Sequence, residues 1–180
     1  MFDSADLWLL RAVYAGGSGP IWLDVVLLVT FLGSGWMLLG LVPLFFTRMR
    51  AGATTLLVTL VATSCVVASA KALAGRVRPC HALAFANALP IELPTDPSFP
   101  SGHAAGSFAF AAFVFAVHRR AGLAFAGLAI LVALSRVALG VHYPSDVVAG
   151  AFLGGVFGWM GARRLSAVRL TDADSEPVRQ

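Results

Sequence analysis

Apolar residues dominate this chain in long runs, with polar residues gathered between them. Five runs approach the roughly 20 residues that a helix needs to cross a bilayer core. They cover residues 21–46, 53–75, 102–117, 121–139 and 145–162. The pattern predicts an all-α, polytopic membrane helix bundle with five transmembrane helices. The third and fifth runs are short, so their ends are expected in the interface or against protein. Residues 3–15 read differently. Leu7, Leu10 and Tyr14 recur at helical spacing beside Trp8 and Val13, with Asp3, Asp6 and Arg11 interspersed. This predicts an N-terminal amphipathic helix lying in the interface. A sixth crossing here would have to bury two aspartates and an arginine, at several kcal/mol on insertion scales. Residues 16–20, Gly-Gly-Ser-Gly-Pro, then turn the chain into the first span. Residues 1–165 are expected to form one membrane-embedded domain, and residues 166–180 a polar tail.

Composition narrows the class. Of the 180 residues, 58% are hydrophobic and only 12% are charged, against about 25% charged in an average soluble domain. So few charges could not solvate the surface of a soluble globule, which excludes an ordinary cytosolic enzyme and a disordered chain. The net charge of +4 is not gathered into one dense patch, which argues against a nucleic-acid partner. Asp3 and Asp6 stand where a signal peptide would carry positive charge, so no cleavable leader is expected. Cys65 and Cys80 fit neither a zinc site nor a disulfide framework and are expected to be free thiols.

The basic residues sort by side. Arg48 and Arg50 lie between runs one and two, Arg119 and Arg120 between runs three and four. Arg163, Arg164, Arg169 and Arg179 follow run five. With five spans these eight share one face, which the positive-inside rule assigns to the cytoplasm. The other five are Arg11, Lys71, Arg76, Arg78 and Arg136, all at or near the opposite face. Charges at membrane depth are expensive to keep and mark function. The bland reading, snorkelling anchors, suits one arginine better than four cations accompanied by His103, His142 and Asp146.

Three short motifs fall on that face. Lys71 and Arg78-Pro79 are separated by two helical turns, so both cations are expected on one side of a helix that Pro79 stops. Arg76 falls off that side and reads as an anchor. In Pro100-Ser101-Gly102-His103, Ser101 is a natural N-cap for run three, and Gly102 lets backbone approach a ligand closely. The helix N-terminus there offers free N–H groups to an anion. In Ser135-Arg136-x5-His142-x3-Asp146, the histidine and carboxylate lie one turn apart, with Pro144 suited to the first turn of run five. A carboxylate on one imidazole nitrogen leaves the other free to attack. Three cations and a helix N-terminus suit a phosphate-like oxyanion. Two histidines suit a nucleophile and an acid. No acidic cluster suits magnesium or calcium, so no metal and no cofactor are expected.

The ordered set K-x6-RP, PSGH and SR-x5-H-x3-D resembles the signature of the type 2 phosphatidic acid phosphatase superfamily. That family includes bacterial membrane lipid phosphatases and is related to vanadium-dependent haloperoxidases. The likeness covers residues 71–146 without a departure; many membrane members have six spans where this chain shows five. It implies that His142 attacks phosphorus, that Asp146 orients it, and that His103 protonates the leaving oxygen and then activates water. Lys71, Arg78, Arg136, Ser101 and Gly102 would hold the phosphoryl oxygens. It also implies an outward-facing enzyme of a bacterial inner membrane acting on a lipid phosphate or diphosphate. A polyprenyl diphosphate is slightly favoured over phosphatidylglycerophosphate, phosphatidic acid or a lipid A phosphate. A non-enzymatic lipid-binding or transport protein on the same scaffold, or a vanadate-dependent haloperoxidase, are the alternatives.

Three further features complete the reading. The proline-rich stretch 80–99 is either a connector or a border of the lipid's route to the site, and its acids Glu92 and Asp96 read as solvated. Gly150, Gly154 and Gly158 recur at four-residue spacing, a stripe suited to close helix packing. A monomer or weak homodimer is expected.

Overall fold

The computed structural model describes residues 4–14, 19–33, 37, 40, 50–87 and 93–175. All regular elements among them are helical. Helix α1 is Ser4–Val13, α2 Pro20–Leu32, α3 Arg50–Ala74, α4 the single turn Pro79–Ala82, α5 Gly102–Val117, α6 Arg119–Ala138 and α7 Pro144–Ser175; a 3-10 turn covers Ala84–Asn87. Three stretches are long and apolar enough to cross a membrane: Gly52–Ala82, Arg119–Ala138 and Pro144–Ser166. Ile21–Leu32 and Gly102–Val117 are shorter apolar helices. The second half of the first predicted span lies outside the described residues, as does most of the turn before it.

Two boundaries differ from the sequence reading. Helix α7 does not stop near residue 162 but continues to Ser175, into the predicted tail. Residues 162–170 are mostly good helix formers, and no glycine or proline interrupts them. Helix α3 ends at Ala74 rather than at Pro79, because Gly75 takes a left-handed φ of 55° and its N–H closes on the Lys71 carbonyl at 3.0 Å. Pro79 instead opens α4. Lys71 and Arg78 are therefore not on one helical face.

Helix α5 is the centre of the bundle. Its Phe110, Phe113 and Val114 are buried against Leu56 and Leu60 of α3 and Ala162 and Leu165 of α7, with Phe125 and Leu128 of α6 packed around them. The closest approach is between α5 and α7. A Cβ on Gly150, Gly154 or Gly158 would stand 2.4, 2.0 or 2.2 Å from the carbonyl oxygen of Ser101, Ala105 or Ala109. The two stripes ascend together, so α5 and α7 run parallel. Only His118 separates α5 from α6. The N-termini of α5 and α7 and the C-terminus of α6 thus share one end of the bundle, and Arg119 and Arg120 occupy the other. On α2, the Thr30 hydroxyl is 2.6 Å from that of Ser135 and ties this helix to α6. Large apolar side chains such as Phe31, Leu57, Leu123, Leu131 and Phe152 point outward.

Helix α1 is only ten residues long, too short to cross a bilayer. Leu10 packs with Ala104, Ala133, Val137, Tyr143 and Val147 in a second buried cluster, while Trp8 and Val13 face outward. Asp6 lies on the inward side and is buried.

Candidate active site

The end of the bundle that gathers three helix termini also gathers the charges. Ser101 caps α5, its hydroxyl accepting from Ala104 N at 3.4 Å. Its own N–H donates to the Asp146 carbonyl at 2.9 Å, which fastens the start of α5 to the first turn of α7. Pro144 opens that turn and sets His142 just before it.

Asp146 is fully buried. Its Oδ2 accepts from the Tyr143 N–H at 2.8 Å and lies 3.5 Å from His142 Nδ1. On the other side of the ring, Arg78 Nη1 is 3.0 Å from His142 Nε2. A guanidinium only donates, so Nε2 carries the lone pair and Nδ1 carries the proton, standing 3.5 Å from the Asp146 carboxylate without a formed hydrogen bond. This is the tautomer that a nucleophilic Nε2 requires. Burial pushes His142 down to about 4, helped by the charges of Arg78 and Arg136 and opposed by Asp146. The imidazole is neutral at physiological pH.

Lys71 and Arg78 come together through the loop before α5. Lys71 Nζ pairs with Asp96 Oδ2 at 2.9 Å and donates to the Pro97 carbonyl. Arg78 Nη2 pairs with Asp96 Oδ1 at 2.9 Å, and its Nε donates to the Asp96 carbonyl at 2.7 Å. Burial tends to raise the Asp96 carboxyl. The bond from Lys71 and the charge of Arg78 outweigh this and hold it below the usual carboxylate range. Asp96, read from sequence as a solvated acid, is instead clamped between two of the predicted anion-binding cations.

Arg76 also departs from its sequence reading. It is no bare anchor. Its Nη1 donates to Asp146 Oδ1 at 2.5 Å and to Ser145 Oγ at 2.7 Å, and its Nη2 to Asp6 Oδ2 at 2.7 Å. The guanidinium lies 4.1 Å over the Tyr143 ring. Asp6 in turn accepts from Ser145 N at 2.9 Å and from Ser145 Oγ at 2.5 Å. These bonds outweigh burial and keep the Asp6 carboxyl below its usual range. The sequence did carry one signal for Asp6, since an acid at membrane level needs a partner. It did not identify Arg76, which sits 70 residues away.

His103 and Gly102 join Lys71 in lining a cleft of about 290 Å³ between α3 and α5. Its other walls are Leu60, Thr63, Ser64, Val67, Ala68, Ala105 and Gly106. Arg136 is buried, its Nε without a hydrogen-bond partner. It borders a second cavity of about 390 Å³ with Leu27, Leu93, Pro94, Thr95, Leu139 and Val141. So Arg78, His142, Asp146 and Ser101 are linked through direct contacts and Lys71 reaches Arg78 through Asp96, while Gly102 and His103 share the cleft with Lys71 and Arg136 borders the second cavity. Cys65 and Cys80 are free thiols. Among the described residues no three His, Cys, Asp or Glu side chains gather in a way that could hold a metal ion.

The chain is similar to known proteins. The chain is 45% identical over 64 residues to the bacitracin transport permease protein BcrC of Bacillus licheniformis, covering 36% of this chain and 32% of that protein. It is 42% identical over 89 residues to the decaprenylphosphoryl-5-phosphoribose phosphatase of Mycobacterium tuberculosis, covering 49% of this chain and 47% of that one. The chain spans less than half the length of either relative. The crystal structure of Aquifex aeolicus LpxE superposes with a TM-score of 0.74 at 25% identity, over 89% of this chain and 96% of that one. Its three helices long and apolar enough to cross a membrane make the chain a multi-pass membrane protein. The family model described as the PAP2 superfamily matches residues 52–169, and the chain belongs to that superfamily.

Proposed function

We propose that this protein is an integral membrane lipid phosphatase that removes a phosphate from a lipid phosphomonoester or diphosphate through a phosphohistidine. The observation that carries the reading is the cleft between α3 and α5. One end holds Lys71, Gly102 and His103, and the rest is walled mainly by apolar and small residues, Leu60, Val67, Ala68 and Ala105, beside Thr63 and Ser64. Such a cleft suits a ligand with an anionic head and an apolar tail.

The chemistry follows from the donor set. Lys71, Arg78 and Arg136 supply positive field for the phosphoryl oxygens, and the N–H groups at the start of α5 add theirs. His142 Nε2 attacks phosphorus as the bond to the leaving oxygen breaks, and His103 gives that oxygen its proton. Nδ1–H turns to Asp146, which stabilises the charge that grows on the ring. In the second step His103 takes a proton from water, the water oxygen attacks phosphorus, and inorganic phosphate leaves with His142 restored. No step draws on a metal ion.

The finer reading has five spans, with the site facing the periplasm or extracellular side of a bacterial inner membrane. It is supported by Arg119 and Arg120 standing a helix length from the site, where the positive-inside rule expects the cytoplasm. A polyprenyl diphosphate is slightly favoured as substrate, in keeping with a relative named for a decaprenylphosphoryl lipid. The test is phosphate release from purified protein in detergent, with polyprenyl diphosphate, phosphatidylglycerophosphate and phosphatidic acid, each with and without a chelator. Release unaffected by chelator and abolished in His142→Ala is expected. Wild-type release from His142→Ala refutes the phosphohistidine. Absence of release across the panel returns the chain to a lipid-binding or transport role.

A further inference from the structure

The anion site described above already contains an anion. The two oxygens of Asp96 each meet a different cation, Lys71 and Arg78, at 2.9 Å. The backbone carbonyls of Asp96 and Pro97 take further donors from the same two residues. Arg78 Nη1 is spent on the Val141 carbonyl and His142 Nε2. Two oxygens on two cations is the arrangement that two phosphoryl oxygens would adopt there. Yet Asp96 is not built in as a buried pair would be: its side chain is 54% exposed. It rides on a connecting loop between Pro94 and Pro97, and it can leave without opening the core.

We infer that Asp96 is a specificity-determining residue, an internal carboxylate that occupies the phosphate-binding cations and yields them to a dianionic phosphate but not to a phosphodiester. This inference rests on the phosphate-binding role proposed for Lys71 and Arg78. The physical need is plain for a site open to a bilayer. Phosphodiester headgroups surround it at high local concentration, each with one negative charge. A bare pair of cations would fill with them. A tethered carboxylate has an effective concentration of about millimolar or more and one negative charge, so it competes with them on equal terms. A terminal phosphate or diphosphate carries about twice that charge, and its Coulomb attraction to the same cations scales accordingly. It displaces Asp96, and the diester does not.

The test measures inorganic phosphate binding to the purified full-length protein by calorimetry, at mildly alkaline pH where the dianion dominates. It is run in neutral detergent micelles and in micelles doped with phosphatidylglycerol. Wild type is expected to bind phosphate weakly, with affinity unchanged by phosphatidylglycerol. Asp96→Ala should bind about tenfold more tightly, since two half-exposed ion pairs no longer compete, and phosphatidylglycerol should erase that gain. Asp96→Asn, which keeps the shape and a hydrogen-bond acceptor, should behave the same way. Equal or weaker phosphate binding in folded Asp96→Asn overturns the inference, because it would show that Asp96 merely orders Lys71 and Arg78. Tighter binding that phosphatidylglycerol leaves intact also overturns it. Binding needs no turnover, so the outcomes stay separable. Tighter, lipid-sensitive binding without hydrolysis of any lipid upholds the filter and defeats the phosphatase. Hydrolysis with unchanged binding does the reverse.

Discussion

Gly154→Ala tests whether the close packing of α7 on α5 sets the geometry of the site. The added Cβ would stand 2.0 Å from the Ala105 carbonyl oxygen, 2.8 Å from its carbon and 3.0 Å from its Cα, where ordinary contact begins near 3.4 Å. All three are backbone atoms of Ala105 in the first turn of α5, so no side chain can swing aside. The helices must part by more than about 1 Å, or the residue must distort. Overpacking of this kind costs about 1–3 kcal/mol. The same separation pulls Ser101 and Gly102 of α5 away from His142 and Asp146, which the Ser101 N–H to Asp146 carbonyl bond joins at 2.9 Å. A misplacement near 1 Å reduces rates by about 10²-fold. Gly155→Ala is the matched control, because a Cβ there meets nothing within 4 Å. The assay pairs a thermal midpoint in detergent with phosphate release. Gly154→Ala should melt several degrees lower and lose about 10²-fold in kcat, with Gly155→Ala close to wild type on both. A Gly154→Ala variant with wild-type melting and turnover would refute the claim that this contact fixes the site.

Asp6→Ala should lower kcat about tenfold with KM little changed and destabilise the fold by about 1–3 kcal/mol, since Ser145 and Arg76 lose a buried charged acceptor; activity within twofold of wild type would reduce α1 to an appendage. His142, held down to about 4 by burial first and by Arg78 and Arg136 second, stays neutral as pH falls through the usual histidine range. The ring's own titration, followed by NMR in the ligand-free protein, should therefore have its midpoint near pH 4, and a midpoint near pH 6.5 would show that the protein holds this ring in water.

Much of the layout was legible because the bilayer simplifies the code. A helix inside lipid must be apolar along its length, so runs 102–117 and 121–139 became α5 and α6 within two residues at each end. Capping chemistry is equally local, and Ser101 and Pro144 open their helices as read. The errors fell where a residue's role depends on a distant partner. Lys71 and Arg78 looked like neighbours on one helix, but Gly75 ends that helix between them, and the 96–97 loop reunites them. Arg76 looked like an anchor and Asp96 like a solvated acid. Each is a single charge whose meaning lies in what it touches, Asp6 and Asp146 for one, Lys71 and Arg78 for the other.

The sequence by itself determined the class of the protein, the helices that carry the site and the residue types placed near its end. Burial of apolar runs and capping are properties of neighbouring residues, so they can be read along one dimension. Only the tertiary structure decided which charges pair. It put Asp6 of α1 on Arg76, turned the Nε2 lone pair of His142 toward Arg78, and set the Asp96 carboxylate across two cations. Electrostatic pairing acts over a few ångströms in space whatever the separation along the chain, and no spacing rule reports it until the helices have packed.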